Sequence, residues 1–131
     1  MDGAEANNKR TILLVDDEPA VRSIVLRILK RANYAVLEAE SGEAALIIAD
    51  KHDGPLDLVI TDMFMPGLRG PEVVQRLAVQ RPGLRALFMS GYADQDARTG
   101  VPAGANFLNK PFSAQELAAA VEAVLKGPTV S

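Results

Sequence analysis

The stretch TILLVDDEPAVRSIVLRILKRANYAVLEA, residues 11–39, contains one full strand, helix and strand in succession. Thr11 to Val15 is aliphatic without alternation, the pattern of a strand covered on both faces. It stops at the acidic triplet Asp16-Asp17-Glu18, and Pro19 follows. Val21, Ile24, Val25, Ile28, Leu29 and Ala32 then recur at helical spacing, with Arg22, Arg27, Lys30 and Arg31 on the other face. Ala35 to Ala39 resumes an extended run.

Moving outward, the same alternation repeats to the end of the chain. Further strands are predicted at Leu56 to Thr61, Arg85 to Ser90 and Asn106 to Leu108, each a short run rich in β-branched or aliphatic residues. Ser41-Gly42-Glu43 opens a second helix reaching about Lys51. Pro71-Glu72 opens a third, with Val73, Val74, Leu77 and Ala78 facing inward. Ser113 with Glu116 three residues on forms a capping box, and Leu117, Val121, Val124 and Leu125 make the apolar stripe behind it. Between Gly91 and Gly104 the glycines and Pro102 leave room for about two helical turns near Ala93 to Arg98. Strict β-α order of this kind predicts an α/β fold, a doubly wound five-stranded parallel sheet with a short or degenerate fourth helix.

Composition bounds the chemistry. The chain has 131 residues, 48% hydrophobic and 24% charged, which suits one globular domain. The reading is a flexible tail at 1–10, one domain at 11–126, and a C-terminal tail at 127–131 that has left the fold. There is no Cys and one His, His52, so thiol nucleophiles, zinc-thiolate sites and multi-histidine clusters are excluded. His52 suits the C-terminal end of the second helix, where a cationic side chain meets the dipole. The net charge of -3 gives no general drive toward nucleic acid. The longest run drawn only from the hydrophobic set, Ala44 to Ala49, is six residues, far below the roughly 20 that span a bilayer. No signal segment is evident, so a cytoplasmic location without membrane insertion is expected.

Ligand sites in such sheets lie beyond the carboxyl ends of the strands. The residues there are Asp16, Asp17 and Glu18 after the first strand, Asp62 after the third, Ser90 at the end of the fourth and Lys110 after the fifth. Crowded carboxylates repel one another unless a cation balances them. With oxygen ligands alone the expected ion is Mg²⁺. Each element has an ordinary reading by itself: the triplet as helix N-terminal acids, Pro66-Gly67 as turn chemistry, Lys110 as a solvated lysine. Their convergence on one edge is what argues for a site.

Taken together, these residues resemble the receiver domains of two-component response regulators. The resemblance covers about Thr11 to Lys126 and is carried by Asp16-Asp17-Glu18-Pro19, Asp62-Met63-Phe64-Met65-Pro66-Gly67, Ser90-Gly91 and Lys110-Pro111. It implies the flavodoxin-like strand order 2-1-3-4-5. It also implies that Asp62 accepts a phosphoryl group from a phosphohistidine on a sensor histidine kinase or phosphotransfer domain. Asp17 would bind Mg²⁺ directly and Asp16 mainly through water, with Asp62 and the main-chain carbonyl of Phe64 completing the protein ligands. Lys110 would pair with Asp62 and then with a phosphoryl oxygen, and Ser90 would hydrogen-bond another. Phe107 would turn inward behind Ser90 as a switch residue, and the Lys110-Pro111 bond would be cis.

Phe64 and Tyr92, two residues beyond Asp62 and Ser90, are both bulky aromatics. Neither orients a water, and both are expected to shield the site, so self-dephosphorylation should be slow. Such a protein is not an enzyme on external substrates. The Ser90-Gly91-Tyr92-Ala93-Asp94 stretch looks like receivers of hybrid sensor kinases, and the chain reads either as a standalone receiver or as one cut from a longer protein. A monomer or weak dimer is expected, with a kinase-docking face around Val21, Ile24 and the Pro66 to Gly70 loop. Three alternatives stand beside this reading. A flavin mononucleotide binder would need phosphate donors where Asp16-Asp17-Glu18 would repel. A phosphohydrolase would usually carry a second Asp where Phe64 stands. A pseudo-receiver that only binds partners would not need all five site residues.

Overall fold

The computed structural model describes residues 9–91 and 104–130. Its elements in chain order are β1 (Thr11–Val15), α1 (Pro19–Arg31), β2 (Ala35–Ala39), α2 (Gly42–Lys51), β3 (Leu58–Asp62), α3 (Gly70–Gln80), β4 (Arg85–Ser90), β5 (Asn106–Asn109) and α4 (Ala114–Lys126). The five strands form one parallel sheet in the order β2-β1-β3-β4-β5, so the expected doubly wound, flavodoxin-like architecture is the one observed.

Strand periodicity sorts the core into two layers. Leu13, Val15, Val59, Ala86 and Phe88 face α2 and α3, meeting Ala45, Ala49, Val73, Val74 and Leu77. Ile12, Leu14, Leu58, Ile60, Leu87 and Met89 face α1 and α4, meeting Val25, Leu29, Leu117, Val121, Val124 and Leu125. Both faces of the three central strands are therefore covered, which explains their unbroken apolar runs. The edge strands β2 and β5 are only partly buried and tolerate Glu38, Asn106 and Asn109.

Local chemistry fixes the helix ends. Ser113 Oγ accepts from the Glu116 N–H while Glu116 Oε1 accepts from the Ser113 N–H, and Ser41 Oγ accepts from the Ala44 N–H. At the end of α1 the Tyr34 N–H donates to Leu29 O and the Asn33 N–H to Lys30 O, with Asn33 in the left-handed region at φ 71°. That is a Schellman stop with Asn in the place glycine usually takes.

The structure corrects three boundaries. β3 runs from Leu58 to Asp62 rather than from Leu56 to Thr61, because the Asp57 side chain takes the Thr11 N–H at the strand's entry and Asp62 is still paired with Met89. The fold begins before residue 11, since the Arg10 carbonyl accepts from the Ala35 N–H. Residues 127–130, read as a departing tail, return to the body of the protein. Val130 is buried against the α2–α3 layer and donates its N–H to Leu84 O at 2.9 Å, while Arg85 Nε donates to Gly127 O at 2.9 Å. Burial of one valine and two hydrogen bonds outweigh the helix-stopping Gly127-Pro128. The short helix expected near Ala93 to Arg98 and the residue Tyr92 lie outside the described residues.

Candidate functional site

The carboxyl ends of β1, β3, β4 and β5 form one edge, and backbone bonds lock their loops together there. The Asp16 N–H donates to Ala39 O, the Met63 N–H to Met89 O, and the Lys110 N–H to Ser90 O at 2.8 Å. The loop after β3 is further held from within. Met63 and Met65 are both buried, and the Gly70 N–H closes the loop onto Met63 O. Gly70 lies so near β3 that a Cβ on it would come within 2.2 Å of the Asp62 carbonyl oxygen, so only glycine fits.

On this edge Asp16, Asp17 and Asp62 each offer a carboxylate oxygen, all within 4.8 Å of one another. Asp16 is fully buried and Asp62 nearly so, while Asp17 is exposed. Lys110 Nζ donates to Asp62 Oδ2 at 3.1 Å. Burial alone would lower the Lys110 pKa, but the Asp62 carboxylate, by charge and by hydrogen bond, outweighs it with help from Asp16 and Glu18, and the ammonium is held above its ordinary value. Asp16 is pushed above the usual carboxylate value, first by burial and then by the Asp62 and Asp17 charges, against the Glu18 N–H bond and Lys110.

Three carboxylates and one ammonium leave two negative charges. Asp16 Oδ1 accepts from the Glu18 N–H, yet Oδ2 is buried without a hydrogen-bond partner among the described residues. An orphaned anionic oxygen beside two further carboxylates is the donor set a hard divalent cation or its waters would complete, so these residues fit Mg²⁺.

Ser90 is fully buried and its Oγ donates to Asn109 Oδ1 at 3.3 Å. Phe107 is half-buried, its ring stacked on Phe88 with centroids 5.6 Å apart. Phe64, two residues beyond Asp62, is 38% exposed. The Lys110-Pro111 peptide is cis. His52 is the C-cap of α2, its Nε2 3.1 Å from Pro55 O and away from the acid cluster in chain and fold.

Two neighbours of the site were not evident in the sequence. Asn109 continues β5 for one residue and holds the Ser90 hydroxyl; its place directly before Lys110 was the available signal. Arg22, counted with the solvated face of α1, turns back instead. Its guanidinium donates to Asp16 O at 2.7 Å and meets Glu38 at 3.5 Å, fixing the backbone beneath the acid cluster.

Comparison with known proteins agrees with this geometry. The family model described as response regulator receiver domain matches residues 12–122. The chain is 39% identical over 124 residues to the sensor kinase CckA of Brucella abortus (strain 2308), covering 93% of this chain and 13% of the kinase. It is 34% identical over 118 residues to the response regulator GtcR of Aneurinibacillus migulanus, covering 89% of this chain and 48% of that protein. It spans about half the length, or less, of the curated relatives it matches. Among solved structures, the receiver domain of the hybrid histidine kinase CckA superposes with a TM-score of 0.73 at 39% identity, over 88% of this chain and 98% of that one. A response regulator receiver protein from Sinorhizobium medicae WSM419 gives 0.80 at 30% identity, over 91% and 96%.

Proposed function

The chain belongs to the response regulator receiver domain family of two-component signalling, and on that premise we propose that Asp62 accepts a phosphoryl group from a phosphohistidine of a sensor kinase or phosphotransfer domain. The observation that carries this reading is the contact of Lys110 Nζ with Asp62 Oδ2 at 3.1 Å inside the three-carboxylate cluster. A carboxylate oxygen of Asp62 attacks phosphorus in line, the phosphorus–nitrogen bond to histidine breaks, and the imidazole leaves with the electron pair. Positioning and charge neutralisation supply most of what this transfer needs.

Lys110, freed from the attacking carboxylate as its charge moves to the phosphoryl group, follows that charge onto a phosphoryl oxygen. Ser90 exchanges Asn109 for another phosphoryl oxygen, and Phe107 moves with it as the switch. Asp17, Asp62 and the Phe64 carbonyl, with Asp16 acting mainly through water, would hold Mg²⁺, which would supply the two positive charges the site lacks. Phe64, two residues beyond Asp62, keeps water from the acyl phosphate, and self-dephosphorylation is slow. On this reading the protein turns over no external substrate and works in the cytoplasm. Separately, among the described residues no helix is long and apolar enough to cross a membrane. A groove lined by Val21, Ile24, Val25, Lys110, Pro111 and Phe112 opens beside Lys110, and it suits the docking of the phosphohistidine partner.

The test uses Mg²⁺ and acetyl phosphate, followed by weighing the intact protein. Wild type should gain the mass of one phosphoryl group, and Asp62→Asn should gain none. No gain in wild type would favour the pseudo-receiver reading. Gain with rapid release of inorganic phosphate over many turnovers would favour a phosphohydrolase.

A further inference from the structure

Arg69 has no part in the chemistry above, yet it is built into the same loop. Its guanidinium carbon lies 4.5 Å from the centroid of the Phe64 ring, within the range of cation–π attraction. Its Nε is buried without a hydrogen-bond partner among the described residues. Part of this cation has therefore left water, the condition under which an aromatic face holds it most strongly.

The two ends of the contact differ in rigidity. Arg69 is anchored as the N-cap of α3: its N–H donates to Glu72 Oε1 at 3.1 Å and its carbonyl accepts from the Val73 N–H at 3.1 Å. Gly70, directly after it, is wedged against the Asp62 carbonyl. Phe64 lies between Met63 and Met65, which take the buried positions, and is itself 38% exposed. A ring so exposed on a loop would exchange rotamers freely unless something held it.

We propose that Arg69 is a positioning residue that clamps the Phe64 ring at the rim of Asp62 and so lengthens the life of the aspartyl phosphate. The proposal rests on the reading of Asp62 as the phosphoacceptor. In hydrolysis a water oxygen attacks phosphorus, the bond from phosphorus to the Asp62 carboxyl oxygen breaks, and inorganic phosphate leaves the regenerated carboxylate. A ring fixed at the rim excludes that water, whereas a swinging ring admits it. Arg69 acts through the ring and not on the reacting atoms.

The experiment loads wild type, Arg69→Ala, Arg69→Lys, Phe64→Ala and the double variant Arg69→Ala/Phe64→Ala with acetyl phosphate and Mg²⁺. Donor is then removed, and the decay of the phosphorylated mass is followed alongside each melting temperature. Arg69→Ala should shorten the half-life about two- to fivefold, the factor that corresponds to a cation–π contact at a partly exposed site. Arg69→Lys should fall between it and wild type. In the Phe64→Ala background, removing Arg69 should change nothing further, and the melting temperatures should not track the half-lives. An unchanged half-life in Arg69→Ala, or the same acceleration with and without the Phe64 ring, would overturn the clamp while leaving Asp62 as phosphoacceptor. Failure of wild type to take up a phosphoryl group would overturn both.

Discussion

Asp16 carries the largest unresolved cost in the site: a carboxylate fully removed from solvent, with one oxygen unpartnered and two further carboxylates beside it. Because burial and the neighbouring charges raise its pKa in the folded state, the folded chain binds a proton there more tightly than the unfolded chain does. Its contribution to metal-free stability is therefore present at low pH, below the ordinary carboxylate value of 3.8, and is lost as pH rises through the raised folded value. At neutral pH Asp16→Asn should stabilise the metal-free protein by about 1 kcal/mol, keeping the Oδ1 bond to the Glu18 N–H while removing the charge. The same change should reduce the added stability that Mg²⁺ gives wild type, since the stabilisation by a ligand specific to the folded state grows with the logarithm of its affinity. Urea unfolding with and without Mg²⁺ checks both, and a loss of metal-free stability would contradict this account of the acid pocket. The gathering of Asp16, Asp17, Asp62 and Lys110 was legible in the sequence because strand ends put them on one edge; the Ser90 bond to Asn109 and the return of Arg22 to Asp16 were not, because side-chain direction is set by the packed neighbours.

Among the elements, those fixed by local chemistry were read correctly. The Ser113–Glu116 capping box and the stripe of α4 span a few residues and stand where they were expected. The entry of β3 moved by two residues because the Asp57 carboxylate, distant in sequence from Thr11, captures the N–H that opens β1. Arg81 is a second long-range fastening that periodicity does not reveal. Its guanidinium donates to the carbonyls of Ala49, His52 and Gly54, closing the C-terminal end of α2 from the end of α3. These are charge-assisted bonds to carbonyls in the last turn of α2, at its C-cap and in the loop after it. Arg81→Ala should cost about 1.5–3 kcal/mol in urea unfolding, with hydrogen exchange rising in α2 before the sheet. A change within about 0.5 kcal/mol, as for an ordinary surface substitution, would show that the fastening contributes nothing.

At the scale of the molecule, the alternation of strands and helices, the sorting of two core layers and the convergence on one sheet edge all follow from patterns the sequence displays over short distances. The C-terminal return does not. Gly127-Pro128 gives a stop signal, and the single Val130 that packs beneath β4 has no period to announce it. Val130→Asp should therefore destabilise the fold by about 2–3 kcal/mol, measured by urea unfolding, where a free tail would show no change. Phosphoacceptance by Asp62 can be read from the acceptor atom itself by chemical trapping. Protein treated with acetyl phosphate and Mg²⁺ is reduced with borohydride, which converts an aspartyl phosphate to homoserine, and the digested chain is sequenced by mass spectrometry. Homoserine is expected at position 62 and at no other acid, with none when Mg²⁺ is removed; homoserine at Asp16 or Asp17, or an unreduced Asp62 in protein that carries phosphate, would rule out Asp62 as the phosphoacceptor.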